Sequence, residues 1–359
     1  MNTDSYRDVI NACRFCFMCR HLATTANVSF READIPRGNA LIIDRLSMKP
    51  EQWSNPDFIK TFYDNTLSAA CRKHCVSHFD EAGLALAARC DVVEQGLAPA
   101  EVQAVADALK ADFDPQLSGE GCEVLYLKST TYTAGAIAAA DAFAGLMELA
   151  GVSYETLSVS DTGKALGALG YTKDAAELAA QVKALIEKSG CKSVVVSCPA
   201  AYDALKNDFA KWGAALDSIE VLHTSEYLLK LVESGKLKLP ENASTVYYID
   251  SDFLRNYNDM AEEPRALLKA AGCDLRPLGT NAEESFALGE GSVVFDKIRP
   301  TLAARLRARL IQEMDSTEDI LVTASPYTYE VLTACTEPKL NVLTLEQACL
   351  AQAQTPAAV

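Results

Sequence analysis

Three cysteines follow one another at two-residue gaps, Cys13, Cys16 and Cys19, in the run CRFCFMCR. Such gaps let one tight loop aim three thiolates into a shared pocket, which suits three irons of a cubane cluster. Zinc more often takes two close cysteine pairs, or cysteine with histidine, and His21 or His74 would then have to complete the site. A third reading is three small cysteines packed in a helical bundle. A cubane needs a fourth thiolate from elsewhere. Further along, Cys71-Arg-Lys-His-Cys75 offers two.

The bacterial two-cluster pattern C-x2-C-x2-C-x3-C-P decides between them, because the fourth cysteine of each run serves the cluster of the other. On that count one set is Cys13, Cys16, Cys19 and Cys75, complete, with Cys71 as the competing fourth ligand. The other set is Asn65, Ser68, Cys71 and Ala23, with one thiol among four. One [4Fe–4S] cluster is therefore expected. His21, His74 and His78 lie near it in sequence, where they would either tune it by hydrogen bonds or simply face solvent.

The elements that must position these residues fall into two textures. Through residue 97 the chain lacks alternating strand patterns, and segments such as 55–67 and 81–90 carry helical periodicity. Residues 98–120 read as a linker with an amphipathic helix from Pro99 to Phe113, closed by Pro115, Ser118 and Gly119. Beyond it, short apolar runs at 124–128, 193–197, 219–223, 246–250 and 320–324 alternate with Ala/Leu-rich helical stretches, the pattern of parallel sheets flanked by helices. This region repeats: VVVSCPAAYDAL (194–205) echoes ILVTASPYTYEVL (320–332), and EVLYLKS (123–129) echoes TVYYIDS (245–251). The expected class is α + α/β: a helical ferredoxin-like domain (1–97), the linker, and two similar lobes (121–240 and 241–359).

Composition bounds the function. The chain has 359 residues, with 33 Lys and Arg against 49 Asp and Glu, a net charge of −16. A surface so acidic argues against nucleic acid and anionic membranes. Asp141 and Glu148 interrupt the longest apolar run, which reads as a helix inside a protein, not a bilayer span. The first residues, MNTDSYRD, lack the positive charge of a secretion signal. A cytoplasmic location follows as an expectation, so the twelve cysteines point to metal or redox chemistry in place of disulfides.

At these residues the chain resembles the iron–sulfur subunits of flavin-linked 2-hydroxyacid dehydrogenases, such as the glycolate oxidase iron–sulfur subunit, and the related heterodisulfide reductase subunits. The likeness rests on CRFCFMC, on IPRGNALIIDRL (35–46) and on CVSHFDEAGLALAAR (75–89). The lobes resemble that family's duplicated cysteine-rich (CCG) domains, whose motif is one cysteine, then a cysteine pair, then C-x2-C. In the first copy the motif falls on Ser129, Asp161, Thr162, Cys198 and Ala201. In the second it falls on Asp252, Ala287, Leu288, Ser325 and Thr328. Gly163 and Gly289 follow the paired positions, and Pro199 and Pro326 follow the fourth. Only Cys198 keeps its sulfur. Hydroxyls, carboxylates and alkyl groups are poor iron–sulfur ligands, so the resemblance implies lobes that kept their fold and lost their metal.

The resemblance implies an electron-transfer subunit for an FAD-containing dehydrogenase subunit acting on glycolate- or lactate-type substrates, with a further electron-carrier subunit beyond it. The acidic lobes would dock a basic partner. Two rivals stand beside this reading. One is a structural or assembly subunit whose cluster is never reduced. The other is a stand-alone enzyme using the inter-lobe crevice, with Cys198, Asp161, Asp252 or His223 facing it. The remaining cysteines, 90, 122, 191, 273, 335 and 349, read as small buried hydrophobes.

Overall fold

The computed structural model describes residues 1–119, 121–279 and 286–351; residue 120 of the linker and 352–359 of the second-lobe span lie outside the described residues. Helices and turns occupy the first 111 residues. Helix Pro36–Met48 starts with proline in its first turn, where no amide partner is lost, and buries Ala40, Ile43 and Leu46 on one face. Helix Pro56–Asp64 is capped by Asn55, which accepts from the Asp57 amide at 2.9 Å. Helix Glu81–Glu94 is capped by Asp80, which accepts from the Gly83 amide at 3.2 Å. Each cap satisfies an amide that the helix itself leaves unpaired.

After helix Ala100–Ala111, the chain does not simply link. Strand β1 (Gln116–Ser118) pairs antiparallel with β3 (Glu155–Val159), so the expected linker ends as the edge of the first sheet. That sheet is completed by β2 (Val124–Ser129), β4 (Ser193–Val196) and β5 (Glu220–His223), in the order β1-β3-β2-β4-β5. The second sheet holds β6 (Thr245–Ile249), β7 (Asp274–Arg276), β8 (Ile320–Thr323) and β9 (Asn341–Thr344), in the order β7-β6-β8-β9. All pairings except that of β1 are parallel. Apart from β1, both sheets run second-first-third-fourth.

The correspondence extends to single residues. Gly163 and Gly289 have φ of +92° and +105°, a left-handed backbone that strains any residue with a Cβ. Cys198 and Ser325 are the N-caps of helices that open with Pro199 and Pro326. Helix Thr133–Ala150 is long and apolar enough to cross a bilayer by length and composition. Here it packs on β2 and on the second lobe's helices Pro326–Thr333 and Leu345–Leu350. Gly135 lets it approach Pro326 so closely that a Cβ would stand 2.7 Å from the proline Cα. One apolar core accordingly runs through both sheets.

A second core joins the helical region to the lobes. At its centre is Arg89, wholly buried. Its guanidinium donates to the carbonyls of Phe62 (3.0 Å), Ala168 (2.6 Å) and Asn65, and to the Ser292 hydroxyl at 2.8 Å. One cation thus ties three stretches of chain together. The second lobe also grips the 67–73 loop: Tyr257 donates its hydroxyl to the Leu67 carbonyl (2.6 Å), and Asn256 donates to that of Ser68 (2.8 Å). Arg72 and Lys73 donate in return to the carbonyls of Asn256 and Arg255.

Candidate metal centre

The chain brings Cys13, Cys16, Cys19, Cys71 and Cys75 to the wall of one cavity of about 30 Å3. Cys13 follows directly on helix Arg7–Ala12, where its amide bonds the Ile10 carbonyl at 3.1 Å. Phe15, with φ of +52°, turns the loop back on itself so that Cys16 and Cys19 return to the same cavity. Cys71 and Cys75 sit on one turn, the Cys75 amide bonding the Cys71 carbonyl at 3.0 Å. Cys16 is exposed, and Cys13, Cys19 and Cys75 are half-buried.

Arg37 holds this loop. It donates to the carbonyls of Phe15 and Cys16, both at 3.3 Å, stacks over the Phe17 ring at 4.0 Å, and is itself anchored on Glu32. Gly38 beside it has no room for a Cβ against the Glu32 carbonyl. Burial raises the Cys19 thiol pKa, and the Arg37 backbone amide opposes that rise. The amide belongs to the first turn of helix Pro36–Met48, whose N-terminus favours negative charge. Sequence spacing does not disclose the anchoring role of Arg37. The PRG run is its signal.

Among the described residues, no three His, Cys, Asp or Glu side chains are gathered as a single ion would require. A cubane asks for a different arrangement, since its four thiolates bind four separate corners and ring a space instead of meeting at a point. The donor chemistry fits that demand: five thiols line the cavity, with no carboxylate or imidazole among the lining residues. His21, His74 and His78 are all exposed and none lines it, so zinc completed by His21 or His74 has no support in the geometry.

Both competitors for fourth ligand line this cavity but pack differently, and Cys19 packs against the same small cluster as Cys71. Cys75 packs with Cys13 against the helical core. Cys71 is buried with Leu22, Ala23, Ala26 and Ile35, and its thiol reaches the Cys19 carbonyl at 3.5 Å. Burial pushes that thiol well up, and Glu81 adds to the rise. Cys71 also lines a second cavity, of about 20 Å3, together with Ala23, Asn65 and Ser68. Those are the four positions that counting assigns to a second ligand set, and the fold does gather them. The same cavity holds Glu81, pushed up to about 7 by burial. One Glu81 oxygen accepts from the Cys71 amide at 2.9 Å.

The inter-lobe positions present another picture. Ser129, Asp161, Thr162, Cys198, Ala201 and Ser325 line a cavity of only about 10 Å3, at the lower limit for a single water. Asp161 accepts from the Ala165 amide at 3.1 Å, in the first turn of helix Lys164–Leu169. Asp252 accepts from the Gly291 amide at 3.2 Å and from the Asn256 side chain at 3.4 Å. Glu290 accepts from the Ser251 hydroxyl (2.9 Å) and the Asp252 amide (2.7 Å). Burial pushes the Cys198 thiol up to about 11, away from the thiolate a nucleophile needs.

His223 does not face this cavity as a catalyst would. It is fully buried and caps helix Thr224–Glu233, its Nδ1 accepting from the Ser225 amide at 3.1 Å. Burial lowers its pKa to about 3. Of the scattered cysteines, 90, 191, 273, 335 and 349 are buried, while Cys122 is half-buried at the surface.

No established protein-family description matches the chain. Over 266 residues it is 29% identical to the EtfAB:quinone oxidoreductase of Syntrophomonas wolfei, covering 65% of this chain and 36% of that protein. Over 202 residues it is 30% identical to FadF of Bacillus subtilis, named a probable iron-sulfur-binding oxidoreductase, covering 55% of this chain and 28% of that one. The chain thus spans well under half the length of either. It is 21% identical over 300 residues to one subunit of the dihydromethanophenazine:CoB–CoM heterodisulfide reductase of Methanosarcina barkeri, covering 76% of this chain and 73% of that relative. A crystal structure of a hypothetical protein from Helicobacter pylori shares the fold, with a TM-score of 0.60 at 11% identity, covering 97% of this chain and 75% of that one. These relatives are named as oxidoreductases or a reductase subunit, one of them iron-sulfur-binding, in line with the resemblance seen at the cysteine runs.

Proposed function

We propose, from the premise that the chain is kin to iron–sulfur oxidoreductase subunits, that it is an electron-transfer subunit holding one [4Fe–4S] cluster on Cys13, Cys16, Cys19 and Cys75. The observation that carries this reading is the single cavity walled by cysteines from both runs, with Cys16 at the surface. When bound, the cluster supplies a one-electron store that accepts and returns electrons singly.

The chain's own residues do the rest. Arg37 fixes the loop backbone between Cys13 and Cys19, and the N-terminus of helix Pro36–Met48 favours the negative charge of the thiolates. Phe79 and Met18 give the cavity an apolar wall, while Cys16 leaves a short path to the surface. Cys71 lies in the neighbouring cavity with Ala23, Asn65 and Ser68 and is left without a cluster of its own. The two lobes, read as degenerate CCG-type domains, brace the 67–73 loop through Asn256 and Tyr257.

The implied partner is an FAD-containing dehydrogenase subunit of the glycolate or lactate type, with a further electron carrier beyond it, in the cytoplasm. A flavin takes two electrons from its substrate as hydride, so a one-electron carrier is what links it to a one-electron acceptor. Redox titration of anaerobically prepared protein tests this. One reversible one-electron transition is expected. A cluster inert to reductant, or substrate turnover by the isolated chain, would contradict it.

A further inference from the structure

The cysteine segments differ in charge from the rest of the chain. Residues 13–31 and 66–79 contain no Asp or Glu, yet they carry Arg14, Arg20, Arg31, Arg72 and Lys73, in a protein with 49 acids against 33 bases. The same segments hold five of the ten large hydrophobic side chains exposed among the described residues: Phe15, Phe17, Met18, Phe30 and Val76. Exposed apolar groups gathered in one place, rimmed by polar ones, mark interaction surfaces.

Beside the cluster loop two of these apolar side chains, Phe17 and Phe30, and two of these cations, Arg20 and Arg31, line a groove of about 410 Å3, with Asn27 between them in sequence on its wall. Glu32 is the one acid on its wall, and it is shared by Arg20 and Arg37. Arg14 and Arg37 line the cysteine cavity itself, where their charge offsets that of the thiolates. Arg20 faces the groove instead, beside Arg31, which also pairs with Asp64 at 3.3 Å and Asp34 at 3.9 Å, and Phe30 is 83% exposed there.

We propose that this groove docks a protein electron carrier whose own face is acidic around an apolar centre. The proposal rests on the electron-transfer reading and adds the partner's chemistry to it. Charge of opposite sign steers the encounter and sets its orientation. The apolar contacts exclude water where Phe17 bridges the groove and the loop between Cys16 and Cys19. One electron then leaves this chain and enters the carrier, with no bond or proton moved.

The test uses the cluster-loaded chain with a flavodoxin as the acidic probe and cytochrome c as the basic one. Calorimetry should show flavodoxin binding that weakens at least tenfold between low and high salt. Arg20→Glu and Phe30→Ser should each weaken it at least fivefold at low salt, and Arg20→Lys should restore it. Cytochrome c should bind more weakly than flavodoxin. Affinity indifferent to salt and to both substitutions would overturn the proposal, as would tighter binding of cytochrome c. So would Arg20-dependent binding to phosphatidylglycerol vesicles without binding of flavodoxin, which would make the groove a membrane surface. Reduction by methyl viologen is the separate check on the cluster: failure there with flavodoxin binding intact sinks the electron-transfer reading and leaves the acidic-protein surface standing.

Discussion

The cysteine cavity and the inter-lobe cavity differ in what their side chains are already bonded to. Around the first, five thiols face one space, and one cysteine reaches solvent. Around the second, Asp161, Asp252 and Glu290 each accept backbone amides or side-chain donors within the protein. A carboxylate whose oxygens already bond internal donors serves the fold. A buried polar group is stable only when hydrogen-bonded, and these three have found their donors inside the protein. The small cavity beside Cys71 stands between these extremes, with one thiol kept and a buried carboxylate bonded to its amide.

The largest effect should come from breaking the first region. Cys13→Ser or Cys16→Ser should abolish the brown colour and remove more than nine-tenths of the bound iron, read by elemental analysis. Asp161→Asn should leave iron unchanged; an equal loss from both would erase the distinction between the two cavities. Next, Cys75→Ser should lose the cluster while Cys71→Ser retains most of it, since Cys75 packs with Cys13 against the helical core while Cys71 is buried with Ala23 and Leu22. The reverse result would assign the fourth ligand to Cys71.

A third effect concerns the joint between the regions. Arg89→Met leaves the carbonyls of Phe62, Asn65 and Ala168 without their donor in a dry core. Charge-assisted hydrogen bonds contribute about 1.5–3 kcal/mol each. A loss of about 3 kcal/mol or more in urea unfolding is expected, along with faster release of iron.

The smallest effect sharpens the inter-lobe reading. Burial holds the Glu290 carboxyl well above its usual range. The folded state therefore keeps a proton that the unfolded chain has already released, and the contribution of Glu290 to stability falls as pH rises from the ordinary carboxylate range towards neutrality. Glu290→Gln should flatten that part of the stability–pH curve without altering iron content. A curve as steep as that of the unmodified chain would show the slope arises elsewhere.

Much of this could be read from residue order. The cysteine spacing singled out Cys13, Cys16, Cys19 and Cys75, which share one cavity wall with Cys71, and backward counting named Ala23, Asn65, Ser68 and Cys71, which do share a cavity. The repeated strand and proline positions marked equivalent turns, and the glycines after the paired positions took the left-handed backbone. Other features were not legible. Strands β3, β7 and β9 are short and carry polar residues such as Glu155, Ser158, Asp274 and Asn341, so their apolar pattern is weak. β1 is a three-residue edge in what reads as a linker. The role of Arg89 depends on carbonyls of residues 62, 65 and 168, and no spacing rule connects them.

Iron and acid-labile sulfide counted on one anaerobically prepared sample, unmodified and as Cys13→Ser, bear most directly on the central assignment. About four of each per chain are expected, the complement of a single cubane held by four thiolates, falling to near zero in the variant. About eight per chain, or iron that survives the loss of Cys13, would contradict it.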